Sequence, residues 1–378
     1  MTVNYQVRLK DHNGTVAAIF VDWKVLTFNH EVNTVSTANL SINGEDDRIS
    51  LFLPDYQIEV WRADKDIGLD WYIEWEGLCR TTTLKYDDDG QATFTAYASS
   101  YLSLLKRRHI MYYAGTTFTS KSGIGETVMK SFVIQNCTSI ASTGLGRIGN
   151  GEFPGFSVEP DYHRGTTWEG ERSFKNLLTV VDDIALKTGI YYDVIGYGDA
   201  LFQFMAYDEQ RGENRTTDGV SAITGLNSYG NVPVVFSQEF GNMGNPLLTK
   251  DRGNEINRVF VLGQGQGTDR QVIFRSNNDA IVESPWNLIE STKSATSQST
   301  VSALNDVGDA VLEENQPQKK LDFDMLQLKS LYYGKDYTWG DRITASFSGE
   351  NFNKLIVGAN ITVSARDMEN INIKFGDV

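Results

Sequence analysis

The sequence predicts a mainly β fold with α/β insertions. Three observations carry this. Residues 1–97 alternate apolar and polar side chains between turn signals. The period becomes helical in several segments between residues 99 and 187, and alternation returns from Val232 onward. Tyr and Phe, which suit half-buried pleated surfaces, number 17 and 19.

In the first part, Val3, Tyr5, Val7 and Leu9 alternate with polar residues, and Asn13-Gly14 is a hairpin signal before Thr15–Phe20. Gln57–Arg62 places Ile58, Val60 and the aliphatic stem of Arg62 on one face. Trp71–Leu84 reads as a long strand, with Trp71, Ile73 and Trp75 turned to a core. Asp87-Asp88-Asp89-Gly90 turns the chain into Gln91–Ala98. Such a meander of short antiparallel strands suits a barrel or a sandwich.

The middle part alternates helix and strand. Ser99–Arg108 is a short helix, its basic end suited to a helix C-terminus. Ser122–Asn136 is a second helix with Ser122 as cap and Val128, Met129, Phe132 and Val133 on one face. Residues 138–170 read as a long loop with one strand. Ser173–Lys187 is the central helix: Phe174, Leu177, Leu178, Val181, Ile184 and Ala185 form its apolar stripe, and Gly189 sits at C′. Ile190–Ile195 and Ala200–Tyr207 form a hairpin, and residues 208–230 a connection.

Strands are expected at Val232–Phe240, Ile256–Gly263, Arg270–Arg275, Leu321–Leu331, Arg342–Ser348, Lys354–Ala365 and Asn370–Phe375. A helix at Val301–Asn315 follows the Ser/Thr-rich stretch 291–300 and ends near Pro317. Three domains follow: 1–108, a β-barrel; 109–235, an inserted α/β domain around the helix near 173–187; and 236–378, a second barrel with an inserted helix near 301–315. Leu53–Ile58 and Trp339–Thr344 both place an Asp just before an alternating strand, an echo between the outer domains.

The 378 residues are 40% hydrophobic and 22% charged, a folded composition. The net charge of −15 divides as −5 in each of the three domains, so no basic patch suited to gripping nucleic acid stands out. An acidic balance also keeps a protein soluble. Cys79 and Cys137 have neither framework nor metal spacing and are expected to be free, as in a reducing cytoplasm. The N-terminal segment has no signal-peptide apolar run, and no stretch of about 18 apolar residues suggests a membrane span.

Motifs for chemistry are few. Gly263-Gln264-Gly265-Gln266-Gly267 follows a strand but precedes another strand, so it reads as a turn and not a phosphate loop. Gly334-Lys335 is followed by Asp336 and lacks the rest of a P-loop. Glu74 and Glu76 sit about 6.5–7 Å apart on an ideal strand, near the lower end of an inverting glycosidase spacing of about 6.5–9.5 Å. The same pattern is that of a solvated strand face. Asp87–Gly90 lacks the ligand spacing of a calcium loop. His12, His30, His109 and His163 are scattered. No catalytic, cofactor-binding or metal residue is assigned, and no cofactor is expected.

The order of six phrases resembles the tail-hub, or tail-associated, proteins of siphophages, which are similar to the baseplate hub of contractile-tailed phages. Phe52-Leu53-Pro54-Asp55-Tyr56-Gln57-Ile58-Glu59-Val60-Trp61 and Trp75-Glu76-Gly77-Leu78-Cys79-Arg80 look like strands of the first barrel. Tyr101–Ile110 looks like the short helix leaving it, and Phe174–Gly189 like the central helix. Asn257–Val261 with Gly265–Arg270 looks like the glycine hairpin, and Tyr337–Ile343 like the opening of the last barrel strands. Each phrase is short; together they cover most of the chain.

The resemblance implies two small antiparallel β-barrels of the tail-tube type with inserted α+β domains. It implies a non-enzymatic hub at the tail tip of a virion, assembled in the host cytoplasm. Three copies would close into a pseudo-sixfold ring passing DNA through a lumen. Expected partners are a distal-tail or tail-tube ring, a tape-measure protein and a tail-tip fibre or receptor-binding protein. Relatives often carry a C-terminal extension, so a chain ending at Val378 is expected to leave receptor binding or wall digestion to another protein. The competing readings are a carbohydrate-binding adhesin or fibre module, supported by the Trp and Tyr content, and a glycoside hydrolase using Glu74 and Glu76.

Overall fold

The computed structural model describes residues 3–111, 119–139, 152–298, 300–328, 331–364 and 368–377. It is mainly β, and it divides into two compact units: residues 1–244 with 324–378, and residues 245–323.

The first unit opens with β1 (Val3–Lys10), β2 (Val16–Phe20), β3 (Val25–Glu31) and β4 (Thr37–Asn43). The expected Asn13-Gly14 turn joins β1 to β2, with Gly14 at φ +84°. β5 (Tyr56–Asp64), β6 (Leu69–Tyr86) and β7 (Ala92–Ser100) complete the meander. Asp87–Gly90 is the hairpin turn between β6 and β7: Asp87 Oδ1 accepts the Asp89 and Gln91 amides at 3.1 and 2.7 Å. Val3, Tyr5, Val7, Leu9, Ile58, Val60 and Arg62 are buried as alternation requires.

β6 departs from the expected alternation. Val60 pairs with Trp75 but Trp61 pairs with Ile73, so Glu74 is the extra residue of a β-bulge. The bulge turns both Glu74 and Trp75 inward. Trp71 and Ile73, expected in the core, are 42% and 39% exposed.

After the short helix α1 (Ser103–Lys106) come β8 (Thr119–Ile124), α2 (Gly125–Cys137), β9 (Phe156–Val158), β10 (Thr167–Arg172), α3 (Leu177–Thr188), β11 (Ile190–Gly198) and β12 (Leu201–Asp208). α2 starts three residues later than expected. Ser122 caps nothing: it lies in β8, opposite Glu169 of β10. α3 likewise starts late because the Asn176 side chain accepts the Leu178 amide at 3.1 Å. Phe174, assigned to the apolar stripe, has φ +55° and is 53% exposed. The rest of the stripe holds, and Gly189 ends the helix at φ +74°. The two long helices and the β11–β12 hairpin share one core with Leu102, Leu105, Phe132, Trp168, Tyr192 and Phe204. Part of the loop expected over 138–170, residues 140–151, lies outside the described residues.

The connection beyond β12 holds β13 (Asn214–Arg215), and the strand expected at Val232–Phe240 shortens to β14 (Val235–Ser237). β15 (Met243–Asp251) leads into the second unit and pairs with a returning strand; β16 (Arg258–Leu262) and β17 (Val272–Ser276) form the glycine hairpin of that unit. The Gly263 amide donates to the Gln271 carbonyl and the Gln271 amide to the Gln264 carbonyl across its turn, which leads to a strand and not a helix. α4 (Asn278–Ile281), β18 (Glu290–Ser294), α5 (Val301–Glu314) and β19 (Gln318–Met325), the partner of β15, follow. β18 forms within the Ser/Thr-rich stretch, parallel to β16. Leu304 and Val311 of α5 cover Val259 and Val261.

The chain then returns with β20 (Arg342–Phe347), β21 (Glu350–Ser364) and β22 (Glu369–Asp377). One twelve-stranded sheet runs β13-β20-β21-β3-β4-β7-β6-β5-β1-β2, with β14 beside β20 and β22 beside β21. Two separate closed barrels are not seen among the described residues. The fifteen-residue β21 is long enough to pair with β20 over one stretch and with β3 over the next. It thereby fuses the strands of both chain ends into one sheet.

Candidate functional site

The densest chemistry in the first unit lies where β6 meets the returning strands. Arg62 on β5 is only 1% exposed and makes five hydrogen bonds. Its Nε and Nη2 donate to Glu369 of β22 at 2.7 and 3.0 Å, a bidentate pair. Nε also reaches the Tyr5 hydroxyl at 3.0 Å. Nη1 reaches the Tyr72 hydroxyl and the Tyr333 carbonyl, both at 3.1 Å. Burial alone would lower the guanidinium's proton affinity, but the Glu369 carboxylate outweighs it and raises it.

Glu74 sits beside this cluster, 8% exposed. His30 Nε2 lies 3.2 Å from its Oε1, the Tyr333 hydroxyl donates to Oε1 at 3.1 Å, and the Tyr72 hydroxyl donates to Oε2. Burial pushes the carboxyl up, yet the His30 contact, the Arg62 charge and the Tyr72 hydrogen bond hold it below the usual range. Three donors therefore occupy a carboxylate that faces little solvent. Gly334 completes the packing at φ +83°: a Cβ there would run into the Tyr72 hydroxyl and the Arg62 guanidinium.

Glu76 behaves differently. Its Oε1 accepts the Gly196 amide of β11 at 2.6 Å. Burial, together with Glu59 and Asp193, pushes its carboxyl up to about 7. A cavity of about 460 Å³ lies beside this contact and is lined by both carboxylates, His30, Asp193, Arg211 and Trp339. The Trp339 ring is already engaged: His30 stacks on it at 4.7 Å and the Arg211 guanidinium lies 3.7 Å from its centroid. It offers no open platform for a sugar.

Of the residues weighed in the sequence, only His30, Glu74 and Glu76 come together. His12 contacts the Pro54 carbonyl, His109 bridges to Asn176, and His163 lies beside Asp161. Lys335 donates to the Ile67 carbonyl at 2.6 Å. Among the described residues no group of three or more His, Cys, Asp or Glu is arranged around a metal position. Cys79 and Cys137 are both buried. No helix of the described residues is long and apolar enough to cross a membrane. The Arg62–Glu369 pair escaped sequence reasoning because its members are 307 positions apart.

Comparison with known proteins places this architecture. No curated protein matches the chain in sequence. The fold resembles a tail protein from Neisseria meningitidis MC58, at 10% identity and TM-score 0.52, covering 99% of this chain and 96% of that one. It resembles the 43 kDa tail protein of prophage MuSo2 from Shewanella oneidensis at 8% identity and TM-score 0.56, covering 100% and 98%. It also resembles prophage tail protein gp18 from Listeria monocytogenes EGD-e at 11% identity and TM-score 0.50, covering 98% and 94%. At these identities the likeness shows a shared phage-tail fold. The model of one family matches residues 6–377, nearly end to end, and the chain belongs to that family, the Siphovirus ReqiPepy6 Gp37-like proteins.

Proposed function

We propose that this chain is a non-enzymatic structural subunit of a siphophage tail tip, a hub that continues the tail tube. The observation that carries the reading is the family match over residues 6–377, on a fold shared end to end with phage tail proteins. Three copies form a pseudo-sixfold ring, each giving two barrel-like modules, residues 1–108 and 236–378, with 109–235 inserted between them. DNA passes through the lumen without being gripped. The ring's neighbours are a distal-tail or tube ring, the tape-measure protein and a fibre or receptor-binding protein. Its place is the virion, after assembly in the host cytoplasm.

Two features support this. β22 bonds only to β21, and Thr81–Tyr86 of β6 pairs only with β7, which leaves free sheet edges among the described residues. The charge of −15 suits a neutral to acidic lumen, because basic walls would hold phosphates through counterion release.

Imaging of intact virions tests the proposal: antibody against this chain should decorate the tail tip, in three copies per particle. Labelling along the whole tail or outside the particle contradicts it. The hydrolase reading rests on the unequal proton affinities of Glu74 and Glu76, the pattern of an acid–base pair. Glycan cleavage abolished by Glu76→Gln would favour it over the hub.

A further inference from the structure

We propose that a second cavity, between the β6 bulge and the turn after α1, binds a single phosphate group. The cavity is about 410 Å³, and its walls include Arg80, Lys106 and Arg107 together with Thr81, Ser99 and Ser103. No Asp or Glu lines it, in a chain where 49 acidic residues face 34 basic ones. A lining of three cationic and three hydroxyl-bearing side chains is complementary to an oxyanion.

The backbone sets up this lining. Cys79 pairs with Ala98 and Thr81 with Tyr97, so Arg80 is the unpaired residue of another bulge. Such bulges re-aim a side chain. Asp55, in the wall of a neighbouring cavity, accepts from Arg107 at 2.9 Å and lies 3.6 Å from Arg80. One carboxylate orients two guanidiniums and neutralises only one charge. Lys106 forms no ion pair within 4.0 Å among the described residues. The Ser103 hydroxyl is buried without a hydrogen-bond partner, a donor still to be satisfied. Guanidinium forks match phosphate oxygens in a bidentate manner.

The cluster is a single pocket and not a track. A nucleic-acid backbone binds through many phosphate contacts spaced along a groove. One compact set of three cations instead fits one phosphate, free or carried on a small organic group.

The test titrates inorganic phosphate, glycerol phosphate and a single-stranded oligonucleotide into the full chain, with isothermal calorimetry and thermal shift as readouts. Arg80 is 57% exposed in its side chain and Lys106 is exposed, so Arg80→Gln/Lys106→Gln should leave the melting temperature without ligand unchanged. Saturable binding of inorganic phosphate is expected, about tenfold or more weaker in the double variant, a loss of ~1.4 kcal/mol. Lys106→Arg, which keeps the charge, should retain it. Tighter binding of glycerol phosphate than of inorganic phosphate would identify an organic phosphate as the better ligand and support the proposal. No saturation, or equal binding by wild type and double variant, overturns it. Oligonucleotide binding with a salt slope of several phosphates also overturns it, because the pocket would then be part of a polymer track.

Discussion

Arg62 joins three strands that are far apart in the chain, and its removal tests how the first unit is held together. With Arg62→Ala the Glu369 carboxylate stays buried without its counter-charge, and the Tyr5 hydroxyl, the Tyr72 hydroxyl and the Tyr333 carbonyl each lose a donor. A loss of ~3–5 kcal/mol is expected, because breaking one partner of a buried pair leaves an uncompensated charge. Urea unfolding measures it. The double variant Arg62→Leu/Glu369→Leu should lose less than the sum of the single variants. Glu76 gives a pH signature. Its carboxyl is raised to about 7 in the folded protein, so folding favours the protonated form. That contribution is fully present below the ordinary glutamate range and fades as pH rises through about 7. The melting temperature of wild type relative to Glu76→Gln should therefore fall between pH 5 and pH 8. A pH-independent difference would contradict the burial of Glu76. Glu74, held low, acts in the opposite sense: its contribution is lost as pH drops through its lowered value.

At the level of elements, the contact between β6 and β11 depends on a glycine. A Cβ on Gly196 would lie 2.5 Å from Glu76 Oε2. Gly196→Ala is expected to destabilise by ~1–3 kcal/mol through overpacking, and Glu76→Ala should relieve most of that. Chemical denaturation of the two single variants and the pair decides it. Local pattern made much of this architecture legible. Alternation in β1 and β5, the apolar stripe of α3, the Gly189 stop and the turns at Asn13-Gly14 and Asp87–Gly90 all express near-neighbour physics. What stayed hidden depends on partners remote in sequence. The Glu74 bulge exists only relative to β5, so simple alternation placed Trp71 and Ile73 in the core. Ser122 looks like a cap until β10 claims it as a strand residue. Val232–Phe240 has strand composition, but only Val235–Ser237 finds a neighbour, in parallel on β20. The candidate site shows the same division: Glu74 and Glu76 stood out by spacing, whereas Arg62, Tyr333 and Glu369 meet only through tertiary pairing.

For the whole molecule, the two-barrel expectation and the single twelve-stranded sheet meet at β21, which carries strands from both chain ends. A sheet whose strands β22 and Thr81–Tyr86 each pair on one side only among the described residues invites pairing with further chains. Lysine on an edge discourages such pairing. Leu84→Lys/Tyr86→Lys, both exposed positions, should weaken self-association while leaving monomer stability within about 0.5 kcal/mol. Sedimentation and thermal unfolding separate the two effects. The hub reading itself is tested most directly by counting this chain in the tail tip, by cryo-electron microscopy of intact virions with symmetry left unimposed. Three copies of the 42.3 kDa subunit, arranged in one ring coaxial with the tube, are expected. A ring with another number of copies, or density for this chain away from the tube axis, would contradict it.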